Sequence, residues 1–261
     1  NDMTPELLEF ADLDSRGVTC VLYDGTSEAA ERRAALSADE AARPAVWSED
    51  VCLDAAGCPR FTLCACGFDG MTEPVRVDCA LELRGMHNVS NACSAAAVGF
   101  AAGMAAAQVA EALSSAKPEA GRQEVLQAPG GFTVINDAYN ANPDSMRASL
   151  STFAALDVTG ARIAVLGDMG ELGSFAPQLH QEVGAFAAAC GLDRLVCVGQ
   201  LAQGIAAGAQ KAGMPADRIA LVADGAAALA DVREHAASGS AVLVKASHFM
   251  ALGKVVEGLV E

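Results

Sequence analysis

The second half of the chain alternates short apolar runs with longer segments of helical periodicity. The apolar runs have the length of buried strands and are Phe132–Asn136, Arg162–Gly167, Arg194–Gly199, Ile219–Ala223 and Ala241–Lys245. A helical pattern follows each run, at about Ser145–Leu156, Pro177–Cys190, Leu201–Ala212, Gly225–Ala237 and Met250–Val260. Because parallel strands need helical crossovers, this alternation predicts an α/β fold with an open, doubly wound sheet.

The first half has a different pattern. Strand-like runs at Val18–Tyr23, Arg60–Cys66 and Val75–Leu83 are separated by Gly, Asp and Pro, which predicts part of a mixed sheet. From Asn88 to Ser115 the residues are mostly small and apolar, which predicts two tightly packed helices broken near Gly103. The polar segment 114–121, with Pro118 and Gly121, is the predicted linker between two domains.

Composition narrows the possible partners and the location. The 261 residues are 52% hydrophobic, enough for one large domain or two small ones. The net charge of −16 argues against nucleic acid or an anionic membrane as the main partner. Without a long apolar stretch or a signal-peptide pattern, the chain is predicted to be cytoplasmic, and its start at Asn1 suggests a piece of a longer protein.

The cysteines favour structural thiols over a metal site. There are nine, an odd number, with no Cys-x-x-Cys pair, and most lie within apolar or strand-like runs. Free cysteine packs as a small hydrophobe, so we predict reduced, buried thiols. No His or Cys pair near Cys64 and Cys66 has the spacing of further metal ligands, so no metal site is predicted.

A polar segment, residues 136–146, follows the first strand of the second half. One interpretation is a turn at Asn142-Pro143 followed by a helix that Asp144 or Ser145 caps. That interpretation leaves Asp137, Tyr139 and Asn140 unexplained. In doubly wound sheets ligands bind at the carboxyl ends of the strands, so we favour a ligand-binding role for these three.

Two further segments lie at carboxyl ends of predicted strands. Residues 167–173 contain three glycines with Asp168 and Glu171, a pattern that fits either loop geometry or function and is not the dinucleotide fingerprint. Lys245 follows four apolar residues and precedes Ala-Ser-His. A charged side chain there is expected to point at a site rather than into the core.

Three more polar residues are candidates for binding. Asn88 and Asn91 are three apart and share a helical face near a helix N-terminus, where free N–H groups favour anions, although Asn88 could instead cap the helix. Arg122, the first base after the linker, could contact a phosphate, although an exposed arginine is the ordinary alternative.

Together, in this order and spacing, these segments resemble the Mur ligase family. The resemblance rests on His87-Asn88-x-x-Asn91, Gly121-Arg122-x-Glu124, residues 137–146, Gly167-Asp168-Met169-x-Glu171-Leu172-Gly173 and Val244-Lys245-Ala246-Ser247. It covers about 160 residues, and Tyr-Asn-Ala-Asn-Pro-Asp-Ser-Met is its most specific part. It implies that residues 1–113 are the latter part of a central α/β ATPase domain and residues 118–261 a Rossmann-like C-terminal domain.

The resemblance also implies a reaction and roles for residues. Members closest in these motifs use ATP and Mg²⁺ to join D-Ala-D-Ala to UDP-MurNAc-tripeptide through an acyl phosphate. Asn88, Asn91, Arg122, Asp137 and Tyr139 match nucleotide-binding positions, and Asn140, Asn142, Asp144, Ser145, Lys245 and Ser247 match the edge where the two peptides meet. No catalytic residue or general base is identified, and no protein partner is implied.

Two departures from the family pattern matter. The chain has no G-x-x-x-x-G-K-[ST] phosphate loop, so we expect it to be inactive by itself. It reads Lys245-Ala246-Ser247-His248 where the family more often has Lys-Gly-Ser-Arg, which leaves open whether His248 replaces that arginine. The alternatives are a non-catalytic nucleotide-binding module with a Rossmann-like sheet, or another ligase of the Mur or folate-polyglutamylating type.

Overall fold

The computed structural model describes residues 17, 19–36, 41–71 and 73–261. The chain forms two compact units, with the boundary between Lys117 and Pro118. Of the predicted strand Val18–Tyr23, Val18 lies outside the described residues. None of the helices in the described ranges has the length and hydropathy that a membrane span requires.

Within its described residues, the first unit contains a four-stranded mixed sheet and three helices. The strands lie in the order β1-β2-β3-β4, with β1 parallel to β2 and the other pairs antiparallel. The strands are β1 (Leu22–Asp24), β2 (Ala45–Leu53), β3 (Pro59–Cys66) and β4 (Val75–Ala80), and the helices are α1 (Ala29–Ala34), α2 (His87–Ala101) and α3 (Ala106–Ser115). The mixed sheet and the two helices after Asn88 are therefore confirmed.

The core of this unit explains the small-residue composition of α2. Its buried residues, including Val89, Cys93 and Phe100, recur at helical spacing and pack against Phe61 and Leu63 of β3. The predicted break is also found, since the chain leaves α2 at Ala101 and Gly103 has φ +83, in the left-handed region.

The second unit is a six-stranded sheet covered by helices on both faces. The strand order is β5-β6-β10-β7-β8-β9, and every neighbouring pair is parallel except β5 with β6. The strands are β5 (Glu124–Gln127), β6 (Thr133–Asp137), β7 (Arg162–Gly167), β8 (Arg194–Val198), β9 (Ile219–Val222) and β10 (Ala241–Lys245). The helices are α4 (Pro143–Ala154), α5 (Ala176–Ala188), α6 (Ala202–Lys211), α7 (Gly225–His235) and α8 (Gly253–Val260). The predicted doubly wound α/β fold is confirmed.

The central strand β10 shows why the second unit folds as two layers of helix around one sheet. All five of its residues are buried. Leu243 packs in the core under α4, α5 and α6, whereas Val242 and Val244 pack in the core under α7 and α8. A strand buried on both faces needs a continuous apolar run, which is the pattern that identified it.

The cysteines are free thiols whose burial differs. Cys64, Cys79, Cys93 and Cys197 are buried, as predicted. The prediction of burial is wrong for the other five, because Cys52 near the end of β2 is exposed and Cys20, Cys58, Cys66 and Cys190 are half-buried. Burial raises the pKa of Cys197 to about 12 and that of Cys79 to about 11. These thiols therefore stay protonated at neutral pH and act as packing groups rather than nucleophiles.

Candidate functional site

Three loops meet at the carboxyl edge of the second sheet. Because β10 lies between β6 and β7, the segments that follow these strands are brought together. Ser247 joins them: its Oγ donates to the carbonyl of Ala141 at 3.3 Å and accepts from the N–H of Gly170 at 2.8 Å. Its own N–H donates to the carbonyl of Asp168 at 3.1 Å. Ser247, a predicted substrate-binding residue, is thus buried at the junction of the loops.

Asp137 and Lys245 form a buried ion pair at this edge. They are partners in the parallel register of β6 and β10, and Nζ of Lys245 lies 2.8 Å from Oδ2 of Asp137. Lys245 is 3% exposed and also donates to the carbonyl of Asn140 at 2.8 Å. Its charge is therefore directed at β6 and the following loop, where it fixes backbone as well as the carboxylate.

Gln123 is a residue of this site that the sequence did not reveal. It has φ +52, in the left-handed region, and its backbone N–H donates to Oδ1 of Asp137 at 3.2 Å. Its Nε2 donates to Oδ2 of Asp137 at 2.8 Å and to Oγ of Ser149 at 2.7 Å. Its position in Gly-Arg-x-Glu is the variable one, so only a structure shows that it orients Asp137.

Arg122 and Tyr139, both predicted nucleotide contacts, lie against each other. The guanidinium carbon of Arg122 is 4.3 Å from the ring centre of Tyr139, and Glu119 pairs with Arg122 at 3.4 Å. His248 lies on the same aromatic ring with centroids 5.6 Å apart. All three side chains are exposed, so a cation, a phenol and an imidazole are displayed side by side.

The residues from Asn142 to Ser145 begin helix α4. Oδ1 of Asn142 accepts from the N–H of Ser145 at 2.8 Å, and Oγ of Ser145 accepts from the N–H of Asn142 at 3.0 Å, a reciprocal capping box. The prediction that Asp144 or Ser145 caps the helix is wrong, because Pro143 occupies the first helical position and places Asn142 at the cap. Asp144 is fully exposed beside Arg147.

The cap gives a test that separates a structural role of Asn142 from a binding role. Asn142→Ala should lower the free energy of unfolding by about 1 kcal/mol, because the backbone N–H of Ser145 loses its side-chain acceptor. Asn142→Asp should restore most of it, since aspartate accepts the same bond. Urea unfolding at pH 7 measures both, with Asp144→Ala as the exposed control. Equal stability of the Asn142→Ala and Asp144→Ala variants would show that the cap does not stabilise α4.

The loop after β7 is held by a buried histidine that sequence reasoning also missed. His180 on α5 is 0% exposed, its Nε2 accepts from the N–H of Met169 at 2.9 Å, and its Nδ1 lies 2.7 Å from the carbonyl of Ala176. Both contacts are satisfied by a neutral ring protonated at Nδ1. The signal was present, because His180 shares the apolar face of α5 with Val183 and Ala187.

Asn88 and Asn91 lie in the first unit on the first turns of α2. They share a face, as predicted, and Nδ2 of Asn91 donates to Oδ1 of Asn88 at 2.9 Å. Asn88 does not cap the helix, because its Nδ2 donates back to the carbonyl of Arg84 at 2.7 Å and the cap position belongs to Met86. Asn91 is exposed and keeps its remaining amide donor available.

An open groove of about 520 Å³ runs along the carboxyl edge of the second sheet. Its lining includes Asn140, Asn142, Glu171, Leu172, His248 and Phe249. Within the part of the chain that the structure describes, no three His, Cys, Asp or Glu side chains form a group that could hold a metal ion.

Comparison with known proteins gives consistent similarities. Residues 121–248 match the family model described as Mur ligase, glutamate ligase domain. The chain is 41% identical over 233 residues to the UDP-N-acetylmuramoyl-tripeptide--D-alanyl-D-alanine ligase of Mycobacterium tuberculosis, covering 82% of this chain and 44% of that one. It is 38% identical to the enzyme of the same name from Bacillus subtilis, over 69% of this chain and 39% of the relative.

A solved structure is similar to the same share of this chain. The crystal structure of MurF from Acinetobacter baumannii aligns with a TM-score of 0.69 and 28% identity, over 82% of this chain and 44% of that one. The chain thus spans less than half the length of each of these relatives.

Proposed function

Because the chain belongs to the Mur ligase family, we propose that it is part of an ATP-dependent ligase that joins D-Ala-D-Ala to UDP-MurNAc-tripeptide in peptidoglycan precursor synthesis. The observation that carries this proposal is the 41% identity, across both units, to a ligase that is named for this reaction. Residues 1–113 then belong to its central ATP-binding domain and residues 118–261 form its C-terminal domain. A cytoplasmic location fits a reaction that consumes ATP.

The proposed chemistry is acyl activation followed by amide formation. When bound, ATP supplies the phosphoryl group that converts the peptide carboxylate into an acyl phosphate. The amino group of the dipeptide then attacks the acyl carbon, the amide bond forms, and phosphate leaves. What the protein must do is hold the nucleotide and align the amine with the acyl carbon.

Several contacts in the second unit support a nucleotide-binding role for its residues. Oδ2 of Asp137 already accepts from Gln123 and Lys245, whereas within the described part of the chain Oδ1 accepts one bond, from the backbone N–H of Gln123. A ligand hydroxyl, such as that of a ribose, would therefore bind at Oδ1. Arg122 and Tyr139 expose a guanidinium and a ring for a phosphate and a base. Asn88 and Asn91 would contact the adenine.

The peptide substrates are proposed to bind at the three joined loops. Asn140, Asn142 and Ser145 lie on the loop that begins α4, with Asp144 exposed beside them. Lys245 and Ser247 are buried beneath that loop and bond to the carbonyls of Asn140 and Ala141. Their contribution is therefore to hold the loop in the shape that the substrates meet.

The test uses the complete ligase polypeptide that contains these 261 residues. ADP release should require both UDP-MurNAc-tripeptide and D-Ala-D-Ala, and the product should be the corresponding pentapeptide by mass spectrometry. The 261-residue chain alone should hydrolyse no ATP, since it has no phosphate loop. Turnover with a free diamino acid in place of the dipeptide would overturn the assignment.

A further inference from the structure

Two acidic residues lie in the loop after β7, and only one of them is free to bind a ligand. Asp168 is 8% exposed, and its Oδ1 accepts from the N–H of Ala202 at 2.7 Å, which caps helix α6. Glu171 is exposed on the wall of the groove. Among the described residues, its carboxylate has no hydrogen-bond or ion-pair partner. The carboxylate of Asp168 therefore has a structural role, whereas that of Glu171 is available to bind a ligand.

The backbone presents Glu171 in an unusual conformation. Its φ is +62, in the left-handed region that glycine and asparagine adopt more readily than glutamate. Bonds from Asp168 to α6, from Met169 to His180 and from Gly170 to Ser247 hold the three preceding residues in place. Loop geometry alone would favour glycine or asparagine here, so the glutamate side chain needs another explanation.

The groove also contains hydrogen-bond donors that could bind a carboxylate. A ligand with both an ammonium group and a carboxylate would therefore find partners for both. The Nδ2 amides of Asn140 and Asn142 have no protein acceptor in the described residues, while their Oδ1 atoms are used by the backbone. With the exposed ring of His248 they offer donors for a carboxylate. Phe249, 65% exposed, and Leu172 offer apolar surface for small side chains.

The charge of the groove also favours a ligand with an ammonium group. Among the described residues that line it there is no lysine or arginine, and Lys245 below it is neutralised by Asp137 at 2.8 Å. Of the lining residues that the structure describes, Glu171 alone carries a fixed charge, in a chain whose net charge is −16. Such a wall attracts an ammonium group and repels an anionic peptide end from this side.

We propose that Glu171 binds the ammonium group of the incoming dipeptide, and that the groove selects a short peptide with a free amino terminus and small side chains. This inference rests on the proposed ligase function and adds a residue to it. Glu171 holds the ammonium group by an ion pair, and the ammonium group then gives one proton to solvent water. The neutral amine attacks the acyl carbon to form the amide bond, and phosphate leaves with the second proton, while Asn140, Asn142 and His248 hold the carboxylate. Phe249 and Leu172 contact the methyl groups.

The test compares Glu171→Asn and Glu171→Gln in the complete ligase with wild type. Both remove the charge, and asparagine also suits the left-handed backbone. We expect the KM for D-Ala-D-Ala to rise about ten- to hundredfold, as for loss of a charged hydrogen bond, with the KM for ATP unchanged. The thermal midpoint of Glu171→Asn should not fall. Glu257→Gln, an exposed glutamate on α8 outside the groove, is the matched control.

A second readout separates charge recognition from a structural effect. N,N-Dimethyl-D-Ala-D-Ala keeps a cationic amine, whereas N-acetyl-D-Ala-D-Ala does not, and neither can form the product. The cationic analogue should inhibit the wild-type enzyme about tenfold more strongly than the acetylated analogue does. The two analogues should inhibit each Glu171 variant equally. Unchanged dipeptide KM and retained discrimination in the variants would overturn the role of Glu171 alone. A wild-type enzyme with no dipeptide-dependent turnover would overturn the proposed function and the inference together.

Discussion

Gly184→Ala should lower the free energy of unfolding of the second unit by about 3 kcal/mol, a larger effect than most surface or core substitutions. A methyl group at Gly184 on α5 would lie 1.9 Å from the carbonyl oxygen of Ile205 on α6. The facing position repeats the constraint, because a methyl group at Gly208 would lie 2.0 Å from the carbonyl oxygen of Gln181. Both obstacles are backbone atoms, so the two helices must separate to admit either methyl group.

Separation of these helices would also displace the loop after β7 in the candidate site. The N-terminus of α6 is bonded to Asp168, and α5 carries His180, which holds Met169. Gly253→Ala is the control, because a methyl group there meets no atom within 4 Å and the position is the start of α8. Urea unfolding should show Gly253→Ala at or above wild-type stability. A Gly184→Ala variant equally stable would mean that the helices are not packed this closely.

The strands and helices of the second unit were predictable because burial on both faces leaves a simple pattern. The predicted runs Arg162–Gly167 and Ala241–Lys245 are β7 and β10 to the residue, and the other three differ from their strands by one residue at one or both ends. An apolar run bounded by polar turns can be identified as a buried strand without knowing which strands lie beside it. Helix ends were predicted less accurately. The start of α4 is an example, because capping depends on local bonds such as those of Asn142.

Two strands were missed, each for its own physical reason. The antiparallel strand β5 is four residues long and has no buried residue, so its sequence Glu-Val-Leu-Gln carries little pattern. Strand β2 is buried at its start and exposed at its end, with a register shift between Glu49 and Cys52 that interrupts the alternation. Strand β5 is defined by its pairing with β6 rather than by its own burial, so it leaves no signal in a single sequence.

For the candidate site, the sequence located the loops but not the bonds between them. Polar residues at strand ends predicted that Asp137, Asp168 and Lys245 lie at one edge. The pairing of Lys245 with Asp137 depends on β10 lying beside β6, which periodicity does not encode. The same is true of Gln123, which precedes β5 and whose side chain donates to Asp137 at the end of β6 and to Ser149 on α4. Strand order is a property of the whole sheet.

Lys245→Met should destabilise the second unit by about 3 kcal/mol at pH 7. The substitution removes the ammonium group that lies 2.8 Å from Oδ2 of Asp137, in a position where the lysine is 3% exposed. The carboxylate is then left in a buried position with the two Gln123 donors as its remaining partners. The bond to the carbonyl of Asn140 is lost as well, so the loop before α4 loses an anchor.

A double variant separates the charge effect from the loss of packing. In Lys245→Met with Asp137→Asn the uncompensated charge is gone, while an amide oxygen can still accept from Gln123. We expect it to recover at least about 1 kcal/mol relative to Lys245→Met, a coupling typical of residues in contact. Lys254→Met, on the exposed face of α8, makes the same chemical change away from any such pair and should shift stability by less than about 0.5 kcal/mol.

These variants also distinguish two roles for Lys245. A lysine that faced the substrates would, when replaced by methionine, weaken substrate binding and leave the free energy of unfolding near that of Lys254→Met. A lysine that holds Asp137 and Asn140 would change the free energy of unfolding in the chain itself, without any ligand. The distances favour the second role, because both partners of Nζ are protein oxygens at 2.8 Å. Any loss of ligase activity in Lys245→Met would then follow from displacement of Asp137 and the Asn140 loop.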